Sequence, residues 1–168
     1  MTTPERQDDP FEVLGLPRRF DLEPAAITKA WLVKSAASHP DRQPDASDAA
    51  REMAKLNAAR QALTDPERRA NALLRLLGGP SKEADRSLPD GFLERTLELR
   101  EEIEELLASG ESGERDRLEQ WALGQRQQYV SQVSSLFAAA GSSPDESALA
   151  EIRTVLNDWR YTERLIEQ

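Results

Sequence analysis

Apolar residues recur every three or four positions over most of this chain, which is helical spacing. The first stretch is short: Phe11, Val13, Leu14 and Leu16, ended by Gly15 and Pro17. By itself it fits a strand or one or two helical turns. A short helix is favoured because no partner strand follows, and Phe11 and Leu14 can then share one face. Pro24 suits a first helical turn, where its missing amide proton costs little. Ile27, Ala30, Trp31 and Val33 follow as an apolar surface interrupted by Lys29 and Lys34, and Pro40 stops the helix. Residues 42–47 read as loop. An alanine-rich helix comes next, with Ala50, Met53, Ala54, Asn57, Ala58, Gln61 and Ala62 at its spaced positions and Leu56 and Leu63 one heptad apart. Isolated helices of this length are marginal, so residues 27–37 and 53–63 are expected to pair antiparallel. Asp65-Pro66 then restarts the chain as a cap followed by a proline at the first helical position. Ala70, Leu73, Leu74, Leu76 and Leu77 line that helix, and Gly78-Gly79-Pro80 ends it.

Residues 78–91 carry Gly, Pro, Ser and charge with no apolar period, which marks a boundary. Beyond it, Phe92, Leu93, Thr96, Leu97, Leu99, Ile103, Leu106 and Leu107 give helical spacing with two apolar aspects. Leu118, Trp121, Ala122, Tyr129, Val133, Leu136 and Phe137 form a second helix, ended by Gly141. Ser143-Pro144-Asp145-Glu146 reads as an N-cap, a proline at N1 and a capping-box acid at N3. Leu149, Ile152, Val155, Leu156, Trp159 and Leu165 complete a third. The pattern predicts an all-α chain: a helical domain over 9–79, a linker over 80–91 and a three-helix bundle over 92–167.

Composition narrows the chemistry. The 168 residues include no cysteine and one histidine, so no disulfide, thiolate or conventional zinc site is expected. No nucleophile and base set or phosphate loop is visible, so neither enzymatic activity nor a bound cofactor is expected. No apolar run of membrane-spanning length occurs and the opening residues lack a secretory pattern, which makes the cytoplasm the expected location. Net charge is -9 and uneven: residues 1–79 hold 12 basic and 12 acidic side chains, whereas residues 80–168 hold 10 and 19. An acidic second half speaks against a broad nucleic-acid surface.

The single histidine lies in His39-Pro40-Asp41, at the corner between the two paired helices. An HPD corner in that place resembles the signature loop of a J-domain, the module that stimulates the ATPase of Hsp70 chaperones. The flanks agree in order. Phe11-Glu12-Val13-Leu14-Gly15-Leu16 resembles the family's opening segment, Trp31 its aromatic before HPD, residues 56–63 its returning helix, and residues 64–70 the junction with its last helix. Residues 92–102 are similar to the opening of the C-terminal domain of HscB-type co-chaperones of iron–sulfur cluster assembly. The resemblance implies a J-domain followed by a three-helix bundle. Ser38, Lys34 and Glu94 depart from the family pattern, in which an aromatic, an apolar residue and another apolar residue are usual. The amino-terminal CxxC pair of some eukaryotic relatives is absent.

The resemblance also implies roles. His39, Pro40 and Asp41 would activate an HscA-like Hsp70, while Lys29, Lys34 and Arg42 would help dock it. Leu93, Leu97, Glu98 and Glu101, with Tyr161 from the last helix, would bind an IscU-type iron–sulfur scaffold protein. Helical spacing allows part of this: Leu93, Leu97 and Glu101 are four apart and can share a face, leaving Leu99, Ile103 and Leu106 for the core. A general J-domain co-chaperone or a non-catalytic helical adaptor are the alternative readings.

Overall fold

Asp9-Pro10 opens the first helix for a local electrostatic reason. In the computed structural model, which describes residues 8–37, 46–108 and 113–167, one Asp9 oxygen accepts from the amides of Phe11 (2.9 Å) and Glu12 (3.3 Å). The other accepts from Arg18 Nε at 2.6 Å. The helix α1 (Pro10–Leu14) therefore starts on a capped turn with proline at N1. It ends at Gly15, whose φ of 69° lies in the left-handed region that glycine adopts without a Cβ penalty. Helices α2 (Pro24–Ala37), α3 (Ala46–Thr64), α4 (Pro66–Leu76), α5 (Phe92–Ala108), α6 (Glu114–Ala140) and α7 (Glu146–Ile166) follow. All regular structure among the described residues is helical, as the periodicity predicts.

The chain divides into two compact units, Met1–Leu76 and Leu77–Gln168. In the first, α3 packs against α1, α2 and α4. Its buried stripe is Ala49, Leu56 and Leu63, spaced by sevens, together with Ala59. Ala50, Ala54, Asn57, Ala58 and Gln61, counted among the spaced positions from sequence, are exposed. In so alanine-rich a helix, apolar spacing does not single out one face, and the two leucines do. On α2, Ile27 is buried, but Val33 is 63% exposed and Leu32 is also exposed, so Val33 does not belong to the apolar surface assigned to it. Six residues after Ile27 places a side chain about 120° round the helix from it, off the buried face.

The α3–α4 corner is closed by Asp65 and Arg69. Asp65 accepts from the Arg68 amide at 2.8 Å, as a cap before Pro66 should. The buried Arg69 donates through Nη1 to the Leu63 carbonyl at 2.6 Å, satisfying a group that the end of α3 leaves without a helical partner. Its guanidinium also lies over the Phe20 ring, 5.1 Å from the centroid. Burial lowers the Arg69 pKa, and the Asp21 and Asp65 charges oppose that.

The second unit is built on α7, which packs against both α6 and α5. Leu149, Ile152, Val155, Leu156, Trp159 and Leu165 are buried, as are Val133, Phe137 and Ala122 of α6 and Leu99 of α5. The cap of α7 is Asp145, not Ser143: Asp145 accepts from the Ala148 amide at 2.8 Å, and Pro144 lies before the helix. A carboxylate three residues before that amide outcompetes a proline-led start. Residues 80–87 run along α7 and are held there by their backbone. Arg153 Nε donates to the Pro80 carbonyl at 3.1 Å, and Asn157 Nδ2 donates to the carbonyls of Asp85 (3.1 Å) and Ser87 (3.0 Å).

Candidate functional site

On α2, Lys29 is exposed on the outer side, whereas Lys34, a heptad after the buried Ile27, is half-buried toward the packed side. The stem of Lys34 runs over the end of α1: a Cβ at Gly15 would sit 3.5 Å from Lys34 Cε. Aliphatic packing under a charged head is how lysine fills a position that others fill with an apolar residue. Trp31 is held from α3, donating through Nε1 to Asn57 Oδ1 at 3.0 Å beneath the Arg60 guanidinium, 4.3 Å from the ring centroid. Ser38, His39, Pro40, Asp41 and Arg42 fall between α2 and α3, outside the described residues.

The second candidate surface lies on α5. Thr96 and Leu99 turn inward, while Leu93 and Leu97 are 70% and 54% exposed. The two leucines therefore are not core residues, and Glu98 and Glu101 are exposed beside them. Glu94 is exposed as well, so a carboxylate stands next to Leu93 in the patch. Tyr161 of α7 is half-buried and meets Phe92 edge to face, with ring centroids 4.8 Å apart. That contact places Tyr161 beside the first turn of α5. The structure thus gathers Leu93, Leu97, Glu98, Glu101 and Tyr161 on one unit, two apolar side chains and an aromatic bordered by acid.

Sequence reasoning missed the polar group that fixes α5 on the bundle. Arg95 pairs with Asp158 at 3.0 Å and also donates to the Tyr129 hydroxyl. Tyr129 shares a second hydrogen bond with Thr162 at 2.8 Å, and its ring stacks on Trp159 with centroids 5.6 Å apart. Next to it, Arg126 grips Glu163 through two nitrogens, the shortest contacts 2.7 Å, and Trp159 Nε1 donates to the same carboxylate at 3.1 Å. Burial pushes the Tyr129 hydroxyl up to about 12, so it remains a neutral donor and acceptor. The available signal was an aspartate inside the α7 stripe, between Val155 and Thr162, where only a paired charge is tolerated.

Burial also raises the Asp158 pKa, against the opposing pull of Arg95 and hydrogen bonding to Tyr129. A carboxyl with a raised folded-state pKa binds more protons folded than unfolded. Its contribution to stability therefore falls as pH rises from the unfolded value toward the folded one, and is level above. Asp158→Ala is expected to cost about 1–3 kcal/mol at neutral pH, because Arg95 and Tyr129 lose a buried acceptor. The variant should also lose that acid-range slope. Thermal melts between mildly acidic and neutral pH decide it; a variant with the parent's melting temperature would mean that the group adds nothing.

Among the described residues no cluster of His, Cys, Asp or Glu is arranged to hold a metal ion, and no helix is long and apolar enough to cross a membrane.

Comparison with known proteins agrees in both halves. A DnaJ domain family matches residues 9–72, and the HSCB C-terminal oligomerisation domain matches residues 88–168. The co-chaperone protein HscB homolog of Ralstonia nicotianae is 31% identical over 155 residues, covering 89% of this chain and 87% of that one. The homolog of Bordetella pertussis is 30% identical over 169 aligned positions, covering 96% and 94%. Among solved structures, chaperone HscB from Vibrio cholerae superposes with a TM-score of 0.67 at 26% identity, covering 95% and 96% of the two chains. Human co-chaperone protein HscB superposes with a TM-score of 0.71 over 99% of this chain and 83% of that one; at 22% identity this likeness speaks to the fold alone.

Proposed function

The chain belongs to the HscB family of co-chaperones, a non-catalytic family, and from that premise we propose that it stimulates a specialised, HscA-like Hsp70 ATPase and delivers an IscU-type iron–sulfur scaffold protein to it. The observation that carries the delivery half is the exposure of Leu93 and Leu97 on a helix whose other side is packed. Covering both of these aliphatic side chains with a partner is favourable (a fully buried leucine gains about 1.5–3 kcal/mol). The activation half rests on His39, Pro40 and Asp41 standing, in sequence, between the two paired helices of a J-domain. ATP and its attacking water belong to the partner, so these residues act by contact. Proline restricts its own backbone, and the Asp41 carboxylate is suited to accept from an arginine. Lys29, Lys34 and Arg42 steer an acidic face of the Hsp70 toward them. We place this activity in the cytoplasm, one compartment that supplies both an Hsp70 and its ATP.

The test is steady-state ATP hydrolysis by an HscA-like Hsp70 with this protein, with the scaffold, and with both. Stimulation by both together should exceed the product of the separate effects. Merely additive rates would favour a general J-domain co-chaperone, and no stimulation at all would favour a helical adaptor. Neutralising Lys29, Lys34 and Arg42 together should slow association and flatten its dependence on salt; unchanged kinetics would leave the three as ordinary surface charge.

A further inference from the structure

A pocket of about 450 Å³ on the second unit lies between α7 and the strap at residues 80–87, and of the residues lining it only Tyr161 has a binding role assigned above. Lys82, Glu83, Arg86, Asn157, Arg160, Tyr161 and Arg164 line it. Its charge is at odds with its surroundings. Of the 10 basic residues in 80–168, four are here; of the 19 acidic ones, Glu83 alone is. Glu83 is moreover engaged by Lys82 at 3.8 Å.

We propose that this pocket docks an acidic segment of a partner polypeptide. The cations converge from two directions by construction. Arg153, Asn157, Arg160 and Arg164 are spaced four, three and four along α7, which sets them on one face of the helix. Asn157 spends its amide on the carbonyls of Asp85 and Ser87, and Arg153 reaches the Pro80 carbonyl. Because the strap is held by its backbone, the side chains of Lys82 and Arg86 take no part in holding it and line the pocket, Lys82 beside its neighbour Glu83. The arrangement brings four cationic side chains together at one pocket, and guanidinium groups can bind carboxylates bidentately.

Size and field select the occupant. Around 450 Å³ accommodates a few side chains. A nucleic acid would carry its phosphates beyond the pocket onto a strongly acidic surface and be repelled there. A short acidic run in a protein presents its charge only where the cations are. Tyr161 joins the pocket to Phe92 and so to the edge of the Leu93 and Leu97 patch. A partner seated on that patch can therefore extend an acidic segment into the pocket, but the pocket's charge stands independently of whether the patch is used.

The experiment uses the full chain and a fluorescein-labelled hexaglutamate peptide, followed by anisotropy at low ionic strength. The peptide should bind, and added salt should release it. Arg160→Glu with Arg164→Glu should weaken it at least about tenfold, the loss of more than one charge-assisted contact. Lys82→Gln with Arg86→Gln should weaken it to a smaller degree, and since these side chains are exposed and the strap is held by its carbonyls, the fold is retained. Leu93→Ala with Leu97→Ala should leave peptide binding unchanged, which separates this proposal from the scaffold reading. Equal binding by the parent and both charge variants would overturn it. So would tighter binding of a single-stranded oligonucleotide or of inorganic phosphate at the same residues.

Discussion

Replacing Asp41 by Asn is expected to return ATP hydrolysis by the Hsp70 partner to its unstimulated rate. The proposed contact is a carboxylate accepting from an arginine, and such charge-assisted bonds contribute roughly 1.5–3 kcal/mol, or tenfold and more in occupancy. An amide keeps the shape but loses the charge and one acceptor site, so it retains little of that. His39→Gln should act in the same direction, because glutamine has no imidazole ring to place at the corner. Circular dichroism and melting temperature, measured in parallel, separate a variant that has lost the contact from one that has lost its fold. If either protein keeps its helicity and still stimulates the ATPase at the parent's level, the assignment of these residues is wrong.

The second large effect is expected at α5. Leu93→Ala with Leu97→Ala should reduce scaffold binding by roughly 30-fold to 1,000-fold. Each truncation removes apolar surface that the partner would otherwise bury, about 1–2 kcal/mol apiece at roughly 0.8 kcal/mol per methylene. Basal ATPase stimulation should persist, since residues 39–41 belong to the other unit. Stability should hardly move: side chains 70% and 54% exposed lie outside the core, and such surface changes usually stay within about 0.5 kcal/mol. Isothermal titration with the scaffold, with and without the two changes, gives the first number and a thermal melt the second. A drop in melting temperature of many degrees, or parallel loss of binding and stimulation, would show that the leucines support the fold. Glu98, Glu101 and Tyr161 should contribute less individually, because Tyr161 already packs on Phe92 and the carboxylates lie exposed in water.

Much of this protein was legible in local chemistry. Helix starts were readable where a carboxylate precedes a proline, as at Asp65-Pro66, because both halves of that signal act within one turn. Asp9-Pro10 carries the same signal and caps α1 in the same way. The heptad of Leu56 and Leu63 pointed to the buried side of α3, and the long stripes of α6 and α7 pointed to a bundle. The HPD tripeptide was recognisable from its letters and flanks alone, and its role stands on them, since residues 38–45 lie outside the described structure.

What required three dimensions was each choice between equivalent local options. Apolar spacing could not tell that Val33 faces water while Ile27 is buried, because a helix with apolar residues all round has no preferred side until α1 and α3 supply one. Ser143 read as the cap of α7, whereas it is Asp145 that accepts from the Ala148 amide. Leu93 and Leu97 could have been core, and only the packing of α5 through Thr96, Leu99 and the Arg95–Asp158 pair leaves them outside. The strap at 80–87 had no periodicity to read, since backbone carbonyls hold it and every residue type has one. Local sequence thus determined which helices form and where several of them begin, because capping, proline geometry and periodicity act over one to three turns. Tertiary structure decided which faces are buried, which charges pair and where cations converge, because those depend on residues such as Arg95 and Asp158 that lie 63 positions apart.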